Sequence, residues 1–314
     1  MPPSGRVVVT PIFEDAEAAS RLVVELAKVL GPDVFVVAVD DGSVREVFDP
    51  AALTAAGLAG AVVRLKRNVG HQRAIAIGLN YVAEHRPDAV CVVMDSDGED
   101  APATLPSLLS ALDEPDIDIV VAQRRNRVES LQFRAFYLVY KGLFTLLSGR
   151  RISFGNFMAL TPFGVKRLSA MPELWTHIAS TVLTSRLRIT VWPLDRGPRY
   201  AGRSKMNFAG LVLHGLRALM VFAEDVLVRV GIVCALVAFL SVIAIAGTII
   251  LKFAGFATPG WFSVAVGILI VMLLQTGALT LTTLMLSGVV RNASLMPIDY
   301  RALIDEVIEV PKRD

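Results

Sequence analysis

Cysteine is scarce: only Cys91 and Cys234 occur in 314 residues. One falls in a short apolar run and the other in a long one, so a disulfide between them is implausible and a reducing compartment is implied. Charge is nearly absent from one region, where Lys252 is the only charged residue between Val230 and Val290. Of the four histidines, His85, His177 and His214 show no metal-ligand spacing. The formal net charge is only +2, which gives no electrostatic case for a nucleic-acid partner. The opening stretch MPPSGRVVVTPIFEDAE has no h-region or cleavage site. It reads as a strand opening a cytoplasmic domain rather than as a signal peptide. Internal repeats and low-complexity segments are also missing.

What is present is apolar and unevenly placed. Hydrophobic residues make up 54% of the chain and charged residues 19%, with a mean hydropathy of +0.57. Such a balance requires a local apolar excess. Val230–Leu251 supplies 22 uncharged residues and Trp261–Val290 another 30, each above the ~20 needed to cross a bilayer core. These runs predict transmembrane helices over 226–251 and 261–290. The linker KFAGFATPG, with Pro259 and Gly260, makes them a hairpin. Lys252 stands alone at one end, whereas Arg217, Arg229, Arg291, Lys312 and Arg313 flank the other. That asymmetry predicts a multi-pass inner (cytoplasmic) membrane protein with both termini cytoplasmic. Residues 206–225 are apolar at helical spacing, interrupted by His214 and Arg217, and read as an interfacial helix; a core helix is the alternative. Residues 291–314 form a polar cytoplasmic tail with room for one short helix. Two helices leave apolar surface open to homo-oligomer formation. With no intramembrane charge beyond Lys252, they offer a transporter no pathway.

Before the hairpin, residues 1–205 alternate short β-branched runs with helical segments. Strands are predicted at Val7–Pro11, Val34–Asp40, Ala61–Leu65, Ala89–Met94, Ile117–Ala122 and Ile189–Leu194. Near-continuous apolar strands separated by helices imply an α/β fold, a mostly parallel sheet covered on both faces. Ligands of such sheets bind beyond the carboxyl ends of the strands. Acidic residues gather at those ends: Glu14 and Asp15, Asp40 and Asp41, Asp95 and Asp97.

The segment VCVVMDSDGED carries the strongest chemical signal. Asp95 and Asp97 emerge at alternate spacing from an apolar strand, and hard divalent cations take oxygen ligands while keeping positions open for phosphate oxygens. Mg²⁺ or Mn²⁺ there would neutralise a departing diphosphate. A solvated acidic turn is the bland alternative, and the second acidic pair at another strand end argues against it. In VFVVAVDDGS, the Asp40–Asp41 pair offers acceptors to a nucleobase or ribose. A turn with Ser43 as helix N-cap accounts for Gly42 and Ser43 but not for the paired aspartates.

Taken together, TPIFED (10–15), DDGS (40–43), RNVGHQRAIAIGL (67–79), DSDGEDAP (95–102) and RYAGRSKMNF (199–208) resemble family 2 of the glycosyltransferases, which have the GT-A fold. Within that family the chain is similar to polyprenyl-phosphate glycosyltransferases. The resemblance implies that Pro11, Asp15, Asp40 and Asp41 bind the nucleotide of a nucleotide-sugar donor. It further implies that Asp95 faces the nucleotide side and Asp97 the metal. Arg124, Arg134, Arg203 and Lys205 would then hold the phosphate of a polyprenyl-phosphate acceptor, as arginine forks suit phosphate oxygens. Without the resemblance, Arg124 and its neighbours read equally as a solvated basic loop.

Three positions depart from the family pattern. Glu14-Asp15 replaces Asn-Glu, and Glu99 replaces Gln, adding a carboxylate to the expected metal set of Asp97, Asp95 and Glu99. Asn156 replaces the Asp that serves as a candidate general base in many relatives. An amide accepts no proton, whereas a phosphomonoester with a second pKa near ~6 is already nucleophilic at neutral pH. Asn156 therefore favours a phosphate acceptor over a glycan or lipid hydroxyl, which would need a base. An inert nucleotide-binding scaffold would not retain Asp95 and Asp97.

Overall fold

The computed structural model describes residues 5–124, 141–151, 153–200, 208–256, 258, 260–293 and 298–312. It divides into two compact units: Met1–Leu138, Ile152–Val221 and Pro297–Asp314 form the first, and Val139–Arg151 with Phe222–Met296 the second.

The first unit is built on an eight-stranded sheet. Its strands are β1 (Arg6–Ile12), β2 (Val34–Asp40), β3 (Ala59–Leu65), β4 (Val90–Val93), β5 (Ile119–Arg124), β6 (Met158–Leu160), β7 (Ile189–Leu194) and β8 (Ile304–Val310), in the order β7-β5-β6-β4-β1-β2-β3-β8. β1 lies at the centre, parallel to β2 and β4, and only β6 and β8 run against the rest. Val7, Val9, Val37 and Val39 face one core, and Val8, Val36 and Ala38 the other, as strand alternation requires. The helices are α1 (Ala16–Leu30), α2 (Ala51–Ala55), α3 (His71–His85), α4 (Leu105–Leu112), α5 (Pro162–Ser169), α6 (Ile178–Thr184) and α7 (Phe208–Met220). Leu22 and Leu26 of α1, Leu53 of α2 and Leu105 and Leu108 of α4 cover one face; Ile75 and Leu79 of α3 and Ile178 and Val182 of α6 cover the other. A Cβ at Gly78 of α3 would meet Val9 Cγ1 at 2.4 Å. The missing side chain lets α3 lie directly on the central strand, which fixes the position of its first residues, His71 and Gln72.

The C-terminal segment departs from the expected tail. Residues 304–310 pair antiparallel with β3 along the sheet edge, with a register shift at Arg64/Leu65. Ile308 and Val310 reach one core and Ile304 the other. Arg64 pairs with Glu306, while Tyr300 and Arg301 bind Glu84 at the end of α3. β6 was likewise not anticipated, being only three residues long.

In the second unit, α8 (Ala223–Phe253) and α9 (Trp261–Ala293) pack together as a hairpin. Both are long and apolar enough to cross a membrane, with mean hydropathies of 2.7 and 2.2. Only 11% of the apolar window of α8, and none of that of α9, is buried. Gly231 permits close approach, since a Cβ there would stand 3.1 Å from Thr283 Oγ1. Ser241 and Thr248 donate to the carbonyls of Val237 and Ala244 in their own helix, so neither hydroxyl needs water.

Candidate active site at the carboxyl ends of the strands

The carboxyl ends of β1, β2 and β4 lie side by side, with Ile12 level with Asp40 and Val9 level with Val93. Pro11 sits in β1 opposite Val39, and Asp15 precedes α1 at its N-cap position. The carboxylates after these strands mostly organise backbone. Asp40 is buried and accepts from the Ser43 and Phe48 N–H groups. Asp41 accepts from Val69 N–H at 2.6 Å and Gly70 N–H at 2.9 Å, tying the end of β2 to the loop before α3. Burial pushes its pKa up to about 6 despite these two donors. Gly42 has φ +69°, and a Cβ there would lie 2.5 Å from the Arg67 carbonyl carbon; only glycine fits. Glu14, itself left-handed at φ 48°, accepts from the Val44, Arg45 and Glu46 N–H groups. Those donors, Val44 first, hold its pKa below the usual value.

The loop after β4 is stitched to the segment after β7. Gly197 N–H donates to the Glu99 carbonyl and Tyr200 N–H to the Asp97 carbonyl. Gly98, at φ +87°, lies so close under the Tyr200 ring that a Cβ would fall 2.7 Å from it. Asp97 accepts from Glu99 N–H and pairs with Arg199 at 2.8 Å. Glu99 pairs with Arg196 and, at 3.2 Å, with Arg199. Two of the three carboxylates expected at a metal are therefore matched by guanidinium groups. Among the described residues no set of three or more His, Cys, Asp or Glu side chains converges to hold an ion alone.

Asp95 takes a different partner. Its backbone N–H donates to Asp100, and its Oδ1 lies 3.1 Å from His71 Nε2 at the start of α3. Burial pulls the His71 pKa down, but the ring is still 44% exposed, and the charges of Asp95, Asp100 and Asp41 outweigh it and raise the pKa. Met158 pairs with Val93, and continuing that register sets Asn156 opposite Asp95. Asn156 Nδ2 lies 3.0 Å from His71 Nε2, and Asn156 Oδ1 accepts from Gln72 Nε2 at 3.1 Å. Gln72 Oε1 in turn accepts from the Ile178 N–H of α6 at 2.8 Å. Just before Ile178, His177 caps α6 through Nδ1, and its Nε2 lies 3.2 Å from His214 Nε2 on α7. Burial pushes the His177 pKa down to about 3 and lowers that of His214, so this pair is neutral.

The structure thus gathers Asp41, Asp95, Asp97 and Glu99 at one sheet edge. Arg124 ends β5 opposite Leu194, while Arg134, Arg203 and Lys205 lie outside the described residues. Sequence reasoning placed His71 either near the diphosphate or at a helix start, and it opens α3; Gln72, Arg196 and Arg199 were missed as site residues. The signal for Arg199 was its place at the head of the RYAGRSK segment; His71 and Gln72 open the helix after a glycine.

Residues 7–162 match the sequence family described as Glycosyl transferase family 2. A dodecaprenyl-phosphate galacturonate synthase from Rhizobium johnstonii is 33% identical over 132 residues, covering 40% of this chain and 38% of that relative. An uncharacterized glycosyltransferase from Synechocystis is 25% identical over 279 residues, 83% of each chain. Among solved structures, glucosyl-3-phosphoglycerate synthase from Mycobacterium tuberculosis, in complex with Mn²⁺, UDP and glucosyl-3-phosphoglycerate, superposes with a TM-score of 0.51. It is 16% identical, covering 70% of this chain and 79% of that one, and the likeness is one of fold. Through residues 7–162, with this mostly parallel sheet and its carboxylate-bearing edge, the chain belongs to glycosyl transferase family 2.

Proposed function

We propose that the chain is an inverting transferase that moves a sugar from a nucleotide-sugar to a polyprenyl phosphate at a membrane face. The observation that carries this reading is the path of the chain around the apolar hairpin. The sheet with the acidic edge precedes α8, and β8 after α9 joins the same sheet. A hairpin leaving and re-entering one unit crosses a bilayer an even number of times, which keeps the transferase unit and both termini on one side. The arginines flanking the hairpin's open end favour the cytoplasm. The acceptor would then be confined to the interface that the enzyme occupies, raising its effective concentration. The likeness to a dodecaprenyl-phosphate sugar synthase supports the lipid-phosphate class.

Asp41 and the loop it holds would shape the nucleoside pocket, with Pro11, Asp15 and Asp40 around it. Asp95 and Asp97 would hold Mg²⁺ or Mn²⁺, as a site of few protein ligands completed by diphosphate oxygens allows. When bound, the ion supplies charge neutralisation to the departing diphosphate. The solved relative that carries Mn²⁺ with UDP supports that choice. Glu99, paired with Arg196 and Arg199, would join the set only by giving up those partners. Arg124, Arg134, Arg203 and Lys205 would clamp the lipid phosphate. One of its oxygens attacks the anomeric carbon in line; a C–O bond forms as the bond to the nucleoside diphosphate breaks. No proton need be removed by Asn156 from an ionised phosphate.

The test is to incubate purified protein and undecaprenyl phosphate with a panel of nucleotide-sugars and Mg²⁺ or Mn²⁺. Release of nucleoside diphosphate with formation of a prenyl-phosphate sugar is the expected result. Equal transfer to the dephosphorylated prenol would overturn the phosphate acceptor.

A further inference from the structure

Residues 141–148 form a helix that belongs to the hairpin unit rather than to the sheet. Phe144 and Ser148, one turn apart, are buried. The Phe144 ring meets that of Phe222, just before α8, edge to face with centroids 5.7 Å apart. Gly149 closes the helix at φ +72°, its N–H donating to the Thr145 carbonyl, a conformation that glycine supplies without strain. Arg229 Nη1 of α8 donates to the Leu146 carbonyl at 3.1 Å. A Cβ at Gly149 would stand 2.3 Å from Arg229 Nη2, so the glycine also admits the guanidinium. A cation there suits the negative end of the helix.

Arg229 directly precedes the uncharged run that starts at Val230. On the membrane reading above, on which this inference rests, it marks the level at which the span leaves the hydrocarbon core. The helix tied to it then lies at headgroup depth. Its outer face is apolar: Leu143 is 51% exposed and Leu146 72%, and a spacing of three sets them side by side. Lys141 before them and Arg150 and Arg151 after them are exposed as well. This end of the unit carries Lys141, Arg150, Arg151, Arg229 and Arg291 against only Glu224 and Asp225. An apolar face bordered by cations has the composition of a segment lying in the plane of an anionic bilayer surface.

We propose that residues 141–151 are a membrane-surface segment: Leu143 and Leu146 enter the bilayer interface, and Arg150 and Arg151 contact the phosphates of anionic phospholipids. The lipid recognised here is the bulk phospholipid of the membrane, not the acceptor of the transfer.

The test places nitroxide labels in the full-length Cys234→Ser protein, reconstituted in vesicles of phosphatidylcholine and phosphatidylglycerol. Cys91 is buried and does not compete for the label. Labels at Leu143→Cys and Leu146→Cys should be relaxed more by dissolved oxygen, which concentrates in lipid, than by a water-soluble nickel chelate. A label at Val44→Cys, exposed on the sheet unit, gives the aqueous reference, and one at Ile243→Cys, exposed on α8, the lipid reference. Water-like signals at Leu143→Cys and Leu146→Cys beside a lipid-like one at Ile243→Cys overturn the segment and leave the membrane reading standing. A water-like signal at Ile243→Cys overturns both. The charge contact has its own readout. Lipids retained by the purified protein should favour phosphatidylglycerol over phosphatidylcholine, and Arg150→Gln with Arg151→Gln should lower that preference by up to about fivefold for each arginine. An unchanged preference overturns the assignment of the two arginines.

Discussion

Arg199 Nη2 lies 2.8 Å from Asp97 Oδ2, so a carboxylate expected to face a cation is met by a guanidinium from the segment after β7. Backbone bonds from Gly197 and Tyr200 keep the two loops in register, and Glu99 anchors Arg196 alongside. A divalent ion at Asp97 must compete with a positive charge already there. Arg199→Gln should therefore raise the Mn²⁺ affinity of the nucleotide-free chain by up to about fivefold, the equivalent of the ~1 kcal/mol upper range for a partly exposed ion pair. Asp97→Asn should abolish transfer with the fold intact, as EDTA should in the unmutated chain. An Mn²⁺ titration in which Arg199→Gln binds more weakly would show that Arg199 shapes the site rather than blocking it.

Asp41 predicts a pH dependence of stability. Its folded pKa of about 6 lies above the ~3.9 of an unfolded aspartate, so folding favours the protonated form. The group's contribution is therefore fully present below pH ~4 and is lost as pH rises through ~6. The difference between these two values corresponds to at most ~3 kcal/mol. Asp41→Asn removes the titration and leaves one of the Val69 and Gly70 N–H groups less well served. Thermal melts of both proteins should show the unmutated chain losing ground to the variant between pH ~4 and ~7. A stability difference that is flat across that window would mean that Asp41 titrates normally.

The sheet and its acidic edge were legible because buried parallel strands are written as short apolar runs. VCVVM and VFVVAV cannot be mistaken for surface, and the aspartates follow directly. β8 was not legible. In IDEVIEV the acidic residues at 305, 306 and 309 face solvent on an edge strand, so it reads as a polar tail until β3 is there to pair with it. The relay through His71, Gln72, Asn156 and Ile178 was invisible for another reason. Its members come from separate stretches of chain, and the short antiparallel β6 is what brings Asn156 to the end of β4. Glu99 illustrates the same limit: a carboxylate in an acidic motif reads as a metal ligand unless the arginines near it in space are known.

Topology offers a test that does not depend on activity. Reporters fused before Met1 and after Asp314 should report the same side of the membrane, since β1 and β8 belong to one sheet. A reporter at Thr258, in the linker of the hairpin, should report the opposite side. If the two termini report different sides, only one of the two apolar helices spans.

The acceptor is where the proposed reaction is most exposed to failure. If Arg134 and Lys205 clamp a lipid phosphate, Arg134→Ala and Lys205→Ala should slow transfer far more than they weaken nucleotide-sugar binding. Losing one charge-assisted bond to phosphate costs about 1.5–3 kcal/mol, or roughly ten- to hundredfold in rate. Arg134→Lys should restore only part of it, because an ammonium lacks the planar fork. The pH profile gives an independent measure. With Asn156 in the place of a base, the rate should climb with the second ionisation of the lipid phosphate, near pH ~6, and then stay level. A further basic limb would reveal a side chain taking a proton from the nucleophile, as a hydroxyl acceptor requires. Asn156→Asp separates the two cases most cleanly. A carboxylate there should help a hydroxyl nucleophile and do nothing for an ionised phosphate, so a large gain in rate would transfer the assignment to a glycan or lipid hydroxyl.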